Sequence, residues 1–559
     1  MTVSLIKKAL ILLILSAPIY ILYLILSQMT NIPFWDTYNV PLSILMAIKN
    51  HYFHWSMLII PEQTHRLLVP RLIFIASYYI CSGNVLFRSF IIFGALIGAI
   101  ILISYHLNDI KVSKNSILGL ILLSSFTWLF LLPQANQYWY WAFITMYPLA
   151  ILFFILALNT LKTNMNLKGF VALLVFSYLA SYSCANGLLV WITAFMGMVL
   201  IKCDRRLTLT YGLIGLITII LYLHGTGTSP LPAPLYIRVL YALSFLGNLF
   251  FYQQNLILTI VMGSLGLLIY LSFLISCLKN ENLKKSYLFW LLLPGISIGS
   301  AILGSIGRIW GQGLISITPS VSSRYLVLSS PLWCSCVVIL LTYYWRPKLK
   351  TLAAGFFCTI VIAYTLTAIY VPEPDPLFFN VVDNIKTEAM ALRNNYYIIN
   401  TAQTNTSLWP YYNLRSMVLT PLEFLKQQHY NLFKEPTWDI IGQSSSQLKL
   451  NLSPQKFNGS FDSVNQSVPS NYNILDYSFL PGLESFGTVP DNKNIEMIYI
   501  MGPQNTVYGL AIPEFHTRGQ GGSPSYILWH GFVAANLLCQ QTKVQAYVKL
   551  KNDATLYPI

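Results

Sequence analysis

Residues 31–71 read NIPFWDTYNVPLSILMAIKNHYFHWSMLIIPEQTHRLLVPR. Whether this stretch crosses a membrane or stands beside it fixes how the whole chain is threaded. It follows the first long apolar segment, yet it carries Asp36, Glu62, His65, Arg66 and Arg71. Such charges are costly in hydrocarbon, and ionisable groups held at a bilayer mark functional sites by default. We read 29–85 as an outer loop carrying the site and the rest of the chain as its scaffold.

Composition supports a membrane setting. The 559 residues are 55% hydrophobic and 9% charged, with a mean hydropathy of +0.59, far from soluble averages. The net charge of +15 does not point to nucleic acid, because the Lys and Arg come in small groups between apolar runs. Seven of the eight Cys lie in or beside those runs, without disulfide or zinc spacing. Residues 1–28 pair Lys7 and Lys8 with an apolar run too long for a signal peptide, so a retained first helix is expected.

A crossing helix needs about 20 apolar residues. The sequence predicts about eleven spans, near 9–28, 86–106, 116–132, 142–161, 167–182, 186–201, 207–223, 255–278, 286–305, 325–344 and 350–371. From a cytoplasmic N-terminus, every short Lys/Arg cluster then falls on the inner side. This threading requires that 67–81 and 236–252 lie at the outer interface; the first carries Arg71, the second Arg238, Gly247 and Asn248. After VPEPDP (371–376) the composition turns polar. Residues 372–559 therefore read as an outward domain, with helices at 380–394 and 421–430 followed by a small β-sandwich built on NIEMIYIMG, TVYGLAIPEF, SYILWHGFV and VQAYVKLK. RGQGGSP (518–524) reads as a hairpin loop.

Each candidate residue has a plain reading beside a functional one. Asp36 in FWDTYN is either an ordinary N-terminal helix residue or a general base taking a proton from a sugar hydroxyl. Glu62, His65 and Arg66 in EQTHR would share one helical face, as a surface patch or as a site for acceptor hydroxyls and donor phosphate. Arg71, Arg308 and Arg324 stand at outward helix ends, where guanidinium forks either snorkel to the interface or stabilise a lipid phosphate as it leaves. Asn136, Gln137, Trp139 and Trp141, and Asn186 with Trp191, could hold sugar hydroxyls or pack as an aromatic belt. Arg88 reads as an interfacial anchor. No HExxH or paired-His spacing marks a metal site, and no cofactor is expected, although a divalent metal on Asp36, Glu62 and His65 stays open.

With FWDTYN, EQTHRLLVPR, PQANQYWYW, SCANGLLVW and the GRIW…SSRY loop in view, residues 1–371 resemble the polytopic GT-C superfamily of glycosyltransferases, in particular bacterial enzymes that modify O-antigen and other surface glycans. The resemblance implies a polyprenyl-phosphate sugar as donor, a glycan acceptor, an inner-membrane location with a periplasmic C-terminal domain, Asp36 as base and 67–81 as an interfacial helix. EQTHR stands where many relatives carry an Asn- and Glu-containing HR motif, which leaves the role of Gln63 open. The implied reaction is a single inverting displacement. A lipid-linked sugar transporter or flippase, and a noncatalytic glycan-binding assembly protein, are the competing readings. The charges gather at one face and no internal repeat is visible, unlike the midplane sites and repeated halves of transporters.

Overall fold

The computed structural model describes residues 3–28, 31, 41–62, 64–133, 139, 141–161, 165–226, 233–250, 255–309, 314–344, 386–399, 420–434, 439–464, 480–490, 494–513, 526–538 and 543–559. The chain divides into two compact units. The first is Met1–Met29, Phe53–Phe74 and Leu86–Asp375; the second is Thr30–Tyr52, Ile75–Val85 and Pro376–Ile559.

The first unit is helical, and its helices begin where polar caps precede apolar runs. Ser116 Oγ accepts from Gly119 N (3.0 Å), Asn166 Oδ1 from Gly169 N (2.8 Å) and Asn255 Oδ1 from Leu258 N (3.0 Å). Asp204 caps the next run through Arg206 N and Leu207 N. Each cap contributes about 1 kcal/mol. Among the described residues, six helices are long and apolar enough to cross a membrane: Val3–Ser27, Val85–Tyr105, Arg205–Leu223, Leu256–Lys279, Leu288–Gly307 and Ser323–Tyr344. Four other expected spans form shorter apolar helices, Ile117–Phe130, Phe143–Asn159, Leu167–Ser181 and Ala185–Leu200. The expected span 350–371 and the proposed boundary at 371/372 lie outside the described residues.

The surface of Arg205–Leu223 is typical of a helix solvated by lipid. Leu209, Leu213, Leu216, Ile217, Ile220 and Leu221 are exposed along one stripe at helical spacing. Tyr211, Gly215, Thr218 and Tyr222 face inward.

The two segments expected at the interface form short helices, Leu68–Cys81 and Leu235–Leu246. At 1.5 Å per residue they span only about 21 and 18 Å. Leu235–Leu246 does not lie free on a surface. It packs into the bundle against Leu256–Lys279 and Gly295–Gly307, burying Ile237, Tyr241 and Phe245. Glycine allows the approach: a Cβ on Gly263 would stand 1.8 Å from the Leu243 carbonyl oxygen, and one on Gly247 would stand 1.9 Å from that of Thr259. The buried Asn248 then ties this hairpin to later segments, accepting from Ser329 Oγ (2.6 Å) and donating to the Ser320 carbonyl (3.5 Å).

Among the described residues the second unit carries one nine-stranded sheet in place of the expected sandwich. The strands are β1 (Tyr396–Ile399), β2 (Asn451–Leu452), β3 (Ser460–Val464), β4 (Leu480–Pro490), β5 (Ile495–Met501), β6 (Val507–Pro513), β7 (Tyr526–Ala534), β8 (Gln545–Leu550) and β9 (Thr555–Pro558). Their order is β1-β4-β7-β6-β5-β8-β9-β2, with β3 also on β4, and the sheet curls as a half barrel. One sheet suffices because both faces are covered. On one, Tyr499, Met501, Leu510 and Phe532 cluster with Met390 and Ala391 of the helical segment 386–393. On the other, Ile498, Ile500, Val533 and Val548 meet Trp529, whose ring stacks on Phe461 at 5.7 Å. β5 accordingly reads IEMIYIM, with successive apolar residues rather than strict alternation. Segments 30–52 and 75–85 belong to this unit, where Asn431 N donates to the Ser82 carbonyl (2.8 Å). RGQGGSP lies outside the described residues.

Candidate functional site

In the first unit, residues far apart in sequence meet around His65. The expected helical face of Glu62, His65 and Arg66 does not form. Glu62 and His65 instead pair through their backbones: Glu62 N donates to the His65 carbonyl (2.7 Å) and His65 N to the Glu62 carbonyl (2.8 Å). The next helix starts only at Leu68. In this extended pairing successive side chains point to opposite sides. His65 and Arg66 accordingly meet different partners.

His65 turns into the unit and is 7% exposed. Its Nδ1 accepts from Ala185 N (3.2 Å), which puts the ring proton on Nε2. Nε2 is buried and has no hydrogen-bond partner among the described residues. The ring stands edge-on to Tyr147, 6.4 Å between centroids. Burial, reinforced by the positive charges of Arg308 and Arg324, holds the imidazole down at about 3. It is thus a neutral donor at physiological pH.

Arg308 caps the C-terminal end of Gly295–Gly307, and Arg324 lies in the turn Ser323–Tyr325 that opens the helix Leu326–Ile339. The Tyr325 hydroxyl is hydrogen-bonded to Tyr147 and to Arg324, and its ring packs on Tyr147 and Phe245. Tyr241 lies within electrostatic range of both arginines. Its hydroxyl and the Ser323 hydroxyl are buried without partners among the described residues. Arg308 makes no ion pair among the described residues; the charged and hydroxyl groups around it are Tyr325, Tyr147, Arg324 and Tyr241. Two half-buried guanidinium groups beside a neutral imidazole and several tyrosine hydroxyls carry positive charge of the kind an oxyanion pairs with.

The other two arginines are occupied. Arg71 is 2% exposed, and its Nη1 donates to the carbonyls of Met57 (3.2 Å), Leu58 (2.9 Å) and Ile60 (2.7 Å). Burial lowers it to about 10, with the nearby Glu62 opposing, so it stays charged. Arg66 donates through Nε to the Tyr222 carbonyl (2.8 Å), through Nη1 to that of Ile59 (2.7 Å) and through Nη2 to that of His224. Both staple the loop before the Glu62–His65 pair, and Arg66 joins it to the end of Arg205–Leu223.

Asn186 donates to Ser300 Oγ (2.8 Å), linking the turn after Cys184 to Gly295–Gly307. Burial pushes the Cys184 thiol up to about 12, which removes it as a nucleophile. Trp139 is wholly buried, donates Nε1 to the Leu132 carbonyl (2.9 Å), and accepts at its own carbonyl from Ser89. Arg88 is buried within the protein, 1% exposed, with the Phe74 ring centroid 4.3 Å from its guanidinium carbon. Asp36, Gln63 and Asn136 lie outside the described residues. Among the described residues no group of three or more His, Cys, Asp or Glu is placed to hold a metal ion.

Tyr147, Tyr241, Ser323 and Tyr325 were not singled out from sequence. Tyr325 adjoins Arg324 in SSRY, the one local signal; Tyr147 and Tyr241 look like ordinary tyrosines in apolar runs. No protein-family model matches the chain, and neither curated proteins nor solved structures give a match.

Proposed function

We propose that the chain is a membrane glycosyltransferase of the GT-C kind that moves a sugar from a polyprenyl-phosphate donor to a surface-glycan acceptor. The supporting observation is the grouping of Arg308 and Arg324 with the neutral His65 and with Tyr147, Tyr241 and Tyr325, near the ends of helices long and apolar enough to cross a membrane. Its chemistry suits a lipid phosphate that gains negative charge as it leaves. In this reading the acceptor hydroxyl gives its proton to a carboxylate, Asp36 or, among the described residues, Glu62. The oxygen then forms a bond to the anomeric carbon, the bond from that carbon to the phosphate oxygen breaks, and its electron pair leaves with polyprenyl phosphate. The sugar inverts. The eleven-span threading, the inner-membrane location and a periplasmic second unit belong to the same proposal.

The test is transfer of radiolabelled sugar from polyprenyl-phosphate donors to glycan acceptors by purified protein, compared with Asp36→Asn and Glu62→Gln at equal folded amounts. A base of this kind contributes about 10²–10⁴ in rate. Transfer by the unaltered chain with loss of that order in one variant supports the reading. Absence of transfer with every donor, while labelled lipid crosses vesicle membranes, favours the transporter.

A further inference from the structure

Loop 53–60 presents an unusual surface immediately before the Glu62–His65 pair. Trp55 is 77% exposed, and Ile59 and Ile60 are also exposed; Phe53 supports the Trp55 ring from the side at 5.4 Å. An exposed apolar loop of this kind would normally fold down. Here the backbone is held from beneath: Arg71 Nη1 binds the carbonyls of Met57, Leu58 and Ile60, and Arg66 Nη1 binds that of Ile59. The same Arg66 guanidinium binds the carbonyls of Tyr222 and His224, so Ile59 and the end of Arg205–Leu223 hang on one planar group. That helix is a candidate span whose exposed stripe runs from Leu209 to Leu221. The exposed side chains of Ile59, Ile60 and Trp55 therefore belong to a loop whose backbone is tied to the end of that candidate span.

We propose that loop 53–60 is a lipid-docking element: Trp55, Ile59 and Ile60 enter the boundary between headgroups and acyl chains, and Arg66 and Arg71 are positioning residues that set the depth of the loop. Indole and branched aliphatic side chains suit that boundary, where one part of the ring is wet and the other dry. The occupant is bilayer lipid, and the proposal stands whether or not the chain transfers sugar. It assigns the loop a mechanical task, fixing the Glu62–His65 pair relative to the membrane surface.

The experiment compares the full chain with Trp55→Phe in nanodiscs of phosphatidylcholine free of isoprenoid lipid. The difference between their emission spectra isolates Trp55. The expected difference spectrum is blue-shifted, loses most of its intensity in lipids brominated high on the acyl chain, and resists aqueous iodide. Arg66→Ala should shift it to the red and open it to iodide, an effect that a merely exposed tryptophan would not show. Iodide quenching without quenching by brominated lipid overturns the proposal. So does lipid quenching that appears only after polyprenyl phosphate is added, which assigns the surface to a substrate chain instead. If Trp55→Phe fails to fold, an environment-sensitive dye on Ile60→Cys reads the same boundary, and emission typical of water overturns it.

Discussion

Arg66 and Arg71, in the stretch 62–71, and Arg308 and Arg324, in the stretch 308–324, make an instructive contrast. All four are arginines near helix ends, and from sequence each could meet a phosphate. In the first pair, among the described residues, the guanidinium groups donate to backbone carbonyls of loop 57–60 and of the end of Arg205–Leu223. The second pair faces hydroxyls and a neutral imidazole. In the first pair the guanidinium charge is anchored to backbone carbonyls; in the second it stands beside side-chain hydroxyls, which a ligand can share. Partner chemistry thus separates scaffold from site where position and charge do not.

The sharpest way to break this contrast is to remove each pair in turn. Replacing Arg308 and Arg324 with Ala should lower the rate of sugar transfer by about 10²–10³, the usual cost of losing a charge-stabilising donor. The thermal unfolding midpoint should barely move. If the midpoint collapses and the transfer per folded molecule survives, the pair is scaffold after all.

Arg71→Met should behave in the opposite sense. Three carbonyls lose a charged donor, and about 3 kcal/mol of stability should disappear, on the scale of one strong charge-assisted bond with partial rescue by water. Denaturation in a mild detergent measures it, with transfer per folded molecule as control. Loss of transfer at unchanged stability would move Arg71 into the second class.

A smaller effect sharpens the role of His65. Its folded value lies well below that of an unfolded histidine, so between about pH 6.5 and 3 the unfolded chain binds a proton that the folded chain does not. Stability should then fall with falling pH, by up to about 1.4 kcal/mol per unit from this group. His65→Gln should flatten that slope. Transfer by the unaltered chain should show no limb from this imidazole near neutrality. A limb near pH 6.5 that His65→Gln abolishes would make the imidazole an acid or base rather than a fixed donor.

The smallest expected effect is Arg66→Lys. One ammonium cannot reproduce a fork shared among three carbonyls, and a loss of about 1–2 kcal/mol should follow, with Arg66→Ala losing more. Equal stabilities for Lys and Ala would show that the fork geometry contributes nothing.

How much of this was legible in the sequence depends on the range of the interaction. Long apolar runs preceded by Ser116, Asn166, Asp204 and Asn255 announce helices, because hydropathy and capping are local. β5, β6, β7 and β8 are legible for the same reason. β4, LPGLESFGTVP, is hidden by its glycines and prolines, and its pairing with β1, β3 and β7 supplies what its own propensity lacks. The sandwich expectation failed because alternation suggests one buried face and cannot say that 386–393 will cover the other. The site shows the same limit. The backbone pairing of Glu62 with His65 replaces the expected helical face, His65 and Arg66 meet different partners, and only tertiary contacts bring Tyr147, Tyr241 and Tyr325 to Arg308 and Arg324. Asp36, on which the sequence reading leaned most, lies outside the described residues.

The glycine pair at 247 and 263 has a consequence for tolerance to change. Two backbones that touch at both notches fit in a single axial setting, like a key cut for one lock. Inserting one residue between Tyr241 and Gly247 would hold the notch and swing the ring by about 100° around its helix, away from Arg308 and Arg324. Length variation between Tyr241 and Gly247 should therefore be forbidden in any working version of the molecule, even where side chains there are free to vary.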